Sequence, residues 1–207
     1  MGSIMKRIYK FHIFALIFNA LLLSNCIRGG IGKYDILYYF NEGEAVTFFS
    51  AVFLGITSYL AWLISYDKRL RDKTLSWFNF WSLSSFGFFY LMLDEFFMFH
   101  EGMDRAILTG LGFDKRSINF DGAILGLFGV FGLMLIYKNR KAILAHKDFV
   151  HCLYFAFFCL AGMVIADLFE DQRIVFEVID DSLKMVGVTY FLMAYTSILM
   201  DQLKANK

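Results

Sequence analysis

The chain has 207 residues, 58% of them hydrophobic, with 26 phenylalanines, no proline and a mean hydropathy of +0.56. A water-soluble domain of this length could not hide that much apolar surface in one core, so the composition excludes an ordinary globule and points to a bilayer. A formal net charge of +1 leaves no basic surface that would suit nucleic acid.

Six apolar runs follow one another: Phe11–Cys26, Ala45–Tyr66, Leu75–Leu93, Gly122–Tyr137, Phe149–Ala166 and Met185–Met200. Several are shorter than the about 20 residues that cross about 30 Å of hydrocarbon, which places their polar ends at or just inside the interface. Lys6, Arg7 and Lys10 precede the first run. Lys68, Arg69, Arg71 and Lys73 separate the second from the third, and Lys138, Arg140, Lys141 and Lys147 the fourth from the fifth. With Lys204 and Lys207 at the end, 13 of the 20 basic residues fall on one side, while 15 of the 19 acids fall on the other. Cytoplasmic loops retain the bases. The expected fold is therefore an all-α integral membrane protein. It is a six-transmembrane-helix bundle forming a single domain over residues 1–207, with both termini cytoplasmic.

The first run has a rival reading. Leu23-Ser24-Asn25-Cys26 is an imperfect lipobox, and cleavage there would leave five spans in the same orientation. Cys26, Cys152 and Cys159 form no CxxC pair and read as small apolar filler. Asn79, Ser82, Ser84 and Ser85 make the third run polar enough to belong inside the bundle. Asn19, Thr57 and Ser58 are placed to hydrogen-bond between helices. Gly122, Gly126, Gly129 and Gly132 line the fourth run, where small residues allow close helix approach within the chain or between copies.

The densest chemical signal stands at the end of the third run, Leu93-Asp94-Glu95 followed by His100-Glu101. If one helix continues past Leu93, then Gly87, Tyr90, Asp94 and Glu101 share a face. Asp167, Glu170 and Asp171 form a stripe after the fifth run. Glu177, Asp180, Asp181 and Lys184 repeat that spacing in an amphipathic lead-in, Ile174–Lys184, to the sixth. Asp121 opens a fourth run only sixteen residues long and needs a partner if its helix starts earlier. Like charges this close repel unless a cation, a base or a proton compensates; Arg173 and Lys184 offset part of the charge.

Carboxylates with one imidazole suit a divalent metal ion. The expected ligands are Asp94, His100, Glu101, Asp121, Asp167 and Asp181, with Glu95 and His100 as the proton-moving catalytic pair. The substrate would be a membrane lipid or lipid-linked group that is hydrolysed or transferred at the outer leaflet. His12, His146 and His151 lie near the opposite face, which counts against a His-rich zinc site.

Two further classes stand beside this enzyme reading. The acids would also serve as the vestibule of an oligomeric cation channel or transporter, with copies joined through the glycine-lined fourth run. Alternatively, the basic cytoplasmic loops would dock a soluble protein partner, making the chain a sensor, anchor or effector.

At Leu93-Asp94-Glu95-x4-His100-Glu101 the chain resembles bacterial polytopic inner-membrane proteins of similar length, without assigned activity, that carry an LDE-x4-HE element. Glu44-Ala45-Val46-Thr47-Phe48-Phe49-Ser50 is similar to their acidic entry to the second span, with Phe48 where they have Trp. Asp180 and Asp181 stand where that group tends to have two glutamates, ahead of Gly187. The resemblance implies one extracytoplasmic acidic site and names no reaction.

Overall fold

The computed structural model describes residues 2–32, 39–40, 45–73, 79–99, 102–103, 106, 109–110, 121–167 and 174–205. Among the described residues the helices run in order α1 (Gly2–Gly32), α2 (Ala45–Arg71), α3 (Phe80–Phe97), α4 (Asp121–Lys138), the short α5 (Arg140–Leu144), α6 (Lys147–Asp167) and α7 (Ile174–Ala205). No strand occurs among the described residues.

Four helical stretches are long and apolar enough to cross a membrane: His12–Gly32, Ala45–Arg71, Lys147–Ala166 and Val175–Lys204. The third and fourth runs correspond to α3 and α4, each of 18 residues, and among the described residues α4 shows the apolar stretch Gly126–Lys138. At 1.5 Å per residue such a helix reaches roughly 27 Å, a little under the hydrocarbon thickness. The described structure thus gives four spans by length and composition.

Asn79 fixes the start of α3. Its side-chain oxygen accepts from the backbone N–H groups of Trp81 and Ser82, satisfying two donors that a helix N-terminus leaves open. The expected start at Leu75 therefore moves to Phe80. The lead-in before the sixth run and the run itself form one helix, α7, as the acidic spacing suggested.

The core lies between α2, α3, α6 and α7. Trp81, Phe88, Phe149 and Tyr195 meet edge to face, with Trp81 and Phe149 centroids 5.5 Å apart and Phe88 and Tyr195 5.3 Å apart. Such contacts suit the negative face and positive rim of aromatic rings. Gly187 lets α7 come close to α6: a Cβ there would stand 3.3 Å from the Ala156 carbonyl oxygen. Cys152 is buried in the main core, Cys26 in a smaller cluster with Phe40, Val46 and Met185, and Cys159 is buried as well, all three as free thiols.

The flanking helices attach by polar or sparse contacts. Asn19 of α1 donates to the Thr189 hydroxyl of α7 at 3.2 Å, and His12 Nδ1 lies 2.8 Å from the Tyr190 hydroxyl. On α4, Phe128 packs on Tyr90, and Gly132 faces Phe157. Phe14, Leu16, Ile17, Leu21, Leu127 and Phe158 are exposed, the expected surface of a bundle whose solvent on that side is lipid.

Candidate functional site

The α3 end brings Asp94 and Glu95 to the acid-rich end of the bundle, the outer end in the orientation expected from the sequence. The first turns of α7 bring Asp181 and Lys184, three residues apart and so on one face. Lys184 Nζ lies 2.7 Å from Asp181 Oδ1 and 3.6 Å from Glu95 Oε2, joining α3 to α7. Asp180 adds its field to the same ammonium. Asp94 is buried, with only 3% of its surface exposed. An amine held between carboxylates away from water is the compensation that the crowded acids require.

The helix does not run through the motif. Met98, directly after α3, takes the left-handed conformation (φ 51°, ψ 45°), and its N–H closes the last turn on the Asp94 carbonyl. Left-handed backbone turns the chain out of the helical path. The expected stripe joining Asp94 to Glu101 therefore breaks at Met98, although Gly87, Tyr90 and Asp94 do share α3.

The sequence-derived site residues fare unequally. Glu95 and Asp181 meet at Lys184, a residue the charge pattern suggested only as a partial offset. Asp94 is the neighbour of Glu95 on α3. His100 and Glu101 lie outside the described residues. Asp121 and Asp167 stand at the first residue of α4 and the last of α6, and their side chains lie outside the described ones. Among the described residues, no group of three or more His, Cys, Asp or Glu side chains is placed to hold a metal ion.

A neutral polar seam, partly foreshadowed by the serines of the third run, lies on the inner side of the α2–α3 interface. The Ser65 and Ser82 hydroxyls are 2.6 Å apart, and Asn79 Nδ2 donates to Ser65 at 2.9 Å. Farther out, Ser58 donates to the Ser85 carbonyl at 2.8 Å. Thr57 instead bonds back to Phe53 of its own helix. The seam ends at Lys68, whose ammonium sits 4.9 Å from the Trp81 ring centre, a favourable cation–π arrangement. His146, before α6, lies close by. Burial, and then the positive charge of Lys68, hold its imidazole below the ordinary value, with Asp201 opposing. Sequence spacing gave no sign of this inner cluster, because its members come from three separate segments.

A family model described as a domain of unknown function (DUF8692) matches residues 13–199. The chain belongs to that family. The match takes in α2 to α6 entirely and most of α1 and α7, so the ionic site and the serine seam both lie inside the family's domain. No curated protein and no solved structure matches the chain.

Proposed function

We propose that this DUF8692 protein is a multi-pass protein of a bacterial inner membrane, both termini cytoplasmic, whose outer end binds the charged head group of a membrane lipid. One observation carries the reading: the Glu95–Lys184–Asp181 network stands beside exposed aromatic side chains. Phe96, Phe97 and Phe99 are exposed beside Glu95, and Phe48 and Val175 are exposed at the adjoining helix starts. An amphiphile arriving sideways would lay its chain on these groups and present its head to the charges. Lys184 would meet a phosphate and the carboxylates a cationic substituent.

Hydrolysis or transfer of a lipid-linked group is the chemistry this reading allows, with Glu95 moving the proton. In the form that uses a divalent ion, His100, Glu101, Asp121 and Asp167 would complete a set begun by Asp94 and Asp181. The ion would have to share carboxylates with Lys184. Cation conduction is less well supported, since Leu54 and Phe88, both buried, separate the ionic end from the serine seam. A second copy has a place to sit: nothing lies within 4 Å of a Cβ at Gly126 or Gly129 of α4.

The test compares wild type with a charge-neutral triple variant, Glu95→Gln/Asp181→Asn/Lys184→Met, which removes every member of the network together. Binding of short-chain phospholipids, read by native mass spectrometry, should weaken on the order of tenfold or more in the variant. Equal binding by both proteins would remove the lipid site. Head-group release, followed with and without added Mg²⁺ or Mn²⁺, then separates a binding protein from an enzyme.

A further inference from the structure

Eight serine and threonine side chains are buried among the described residues, and six of them have hydrogen-bond partners. Thr57, Thr189 and Ser197 bond to carbonyls of their own helices, Ser58 bonds to α3, and Ser65 and Ser82 bond to each other. Thr47 and Ser50 are the exceptions: their hydroxyl oxygens are buried without a partner, with the residues only 4% and 0% exposed. The Ser50 hydroxyl does not even bond back to the Val46 carbonyl one turn earlier, as Thr57 does to Phe53. A buried hydroxyl without a partner is unfavourable, so a pair of them on one helix face requires an explanation.

Their position supplies one. Across the antiparallel α2–α3 pair, Ser65 meets Ser82, Ser58 meets Ser85, and Gly55 faces Met92. Continuing that register brings Ser50 level with Glu95. On the other flank, Val46 packs in one cluster with Met185, the residue after Lys184. The two hydroxyls therefore lie on the stretch of α2 that is level with the ionic end of the bundle. Glu95 is also the weakly engaged member of the network. Its contact with Lys184 is 3.6 Å, beyond hydrogen-bonding distance, whereas Asp181 holds Lys184 at 2.7 Å.

We propose, resting on the lipid-site reading above, that Thr47, Ser50 and Glu95 form a subsite for a primary ammonium group. Three N–H donors match two hydroxyl oxygens and one carboxylate oxygen. Glu95 and Asp181 together outnumber the single charge of Lys184, so a second cation is attracted there. Phe48, next to Thr47, and Phe96, next to Glu95, are both exposed and flank the approach from the lipid side. The ammonium would come from an aminated phospholipid head or from a small free amine.

The experiment uses the full chain in detergent and four probes: phosphatidylethanolamine, phosphatidylcholine, free ethanolamine and sodium chloride. Phosphatidylcholine carries the same charge without an N–H. Wild type should bind phosphatidylethanolamine on the order of tenfold more tightly than phosphatidylcholine, because a site built to hydrogen-bond rejects an analogue that cannot. Ser50→Ala with Thr47→Val should bring the two lipids to parity. Free ethanolamine binding with the same dependence on the hydroxyls supports the subsite and identifies a soluble amine as its source. Equal binding of both lipids in wild type, with both lost in the charge-neutral triple variant, overturns the subsite while leaving the lipid site standing. Stabilisation by sodium chloride alone overturns it in favour of a metal cation. A second readout needs no ligand: Ser50→Ala should leave the thermal midpoint unchanged or raised, whereas Ser65→Ala should lower it. An equal loss in both would mean that Ser50 has an internal partner and would overturn the proposal.

Discussion

The two ends of the α2–α3–α7 bundle handle buried polarity with different chemistry. At the inner end, Ser65, Ser82 and Asn79 satisfy one another with neutral hydrogen bonds and no net charge. At the outer end, Glu95, Asp181 and Lys184 do the same task with ions, and Thr47 and Ser50 stay without partners. Neutral seams hold helices together at modest gain, whereas ions kept at this depth are costly unless every charge is answered. A closed seam is what packing alone would produce. An open, ionic end is not, and that difference is the reason the proposed site is put there.

The comparison is broken most forcefully at Lys184. Lys184→Met strands Glu95 and Asp181 together, and the midpoint of unfolding in detergent should correspond to a loss of about 2–4 kcal/mol. That is below the fully buried value because Lys184 and Glu95 side chains keep 19% and 16% exposure. The charge-neutral triple variant should recover most of the loss. A single variant as stable as wild type would mean that the ions are solvated and the outer end resembles any loop.

At the inner end the expected effects are smaller. Ser65→Ala and Ser82→Ala should each lower stability by about 0.5–1 kcal/mol. The double variant should lose less than the sum, since the two hydroxyls share one bond. Additive losses would show that each has other partners and that the seam is no unit.

The smallest effect concerns pH. Since the His146 pKa in the folded state lies below its ordinary value, the unfolded chain takes up the proton first on acidification. The stability linked to this group is fully present above about pH 6.5 and declines as pH falls. Between pH 7 and pH 5 wild type should lose more stability than His146→Gln. Parallel profiles would place His146 in water.

The helices were legible in the apolar runs, and so was the continuity of α7, because the spacing of Glu177, Asp180, Asp181 and Lys184 has the helical period. The crossing bonds of Asn19 and Ser58 could also be anticipated from polar residues inside apolar runs. The end of α3 could not. Met98 adopts a conformation that glycine or asparagine usually marks, and nothing local to methionine announces it. The Glu95–Lys184 contact was hidden for another reason: only the packing of α3 on α7 creates it, and a charge pattern read along one helix sees Asp181 alone. The unpartnered state of Ser50 was equally invisible, since an identical residue at Ser65 is fully bonded.

The length of α7 adds a last consequence. Lys184 and Lys204 are twenty residues apart on this helix, roughly 30 Å, which is about the depth of the hydrocarbon layer. In the proposed membrane orientation the two amines would act as pegs at opposite faces and limit how far the helix can slide along the normal. A thicker bilayer would draw the upper peg into oil or force the helix upright. The strength of the Lys184 pairing is thereby tied to membrane thickness, so lipid acyl length becomes a control variable for this end of the molecule.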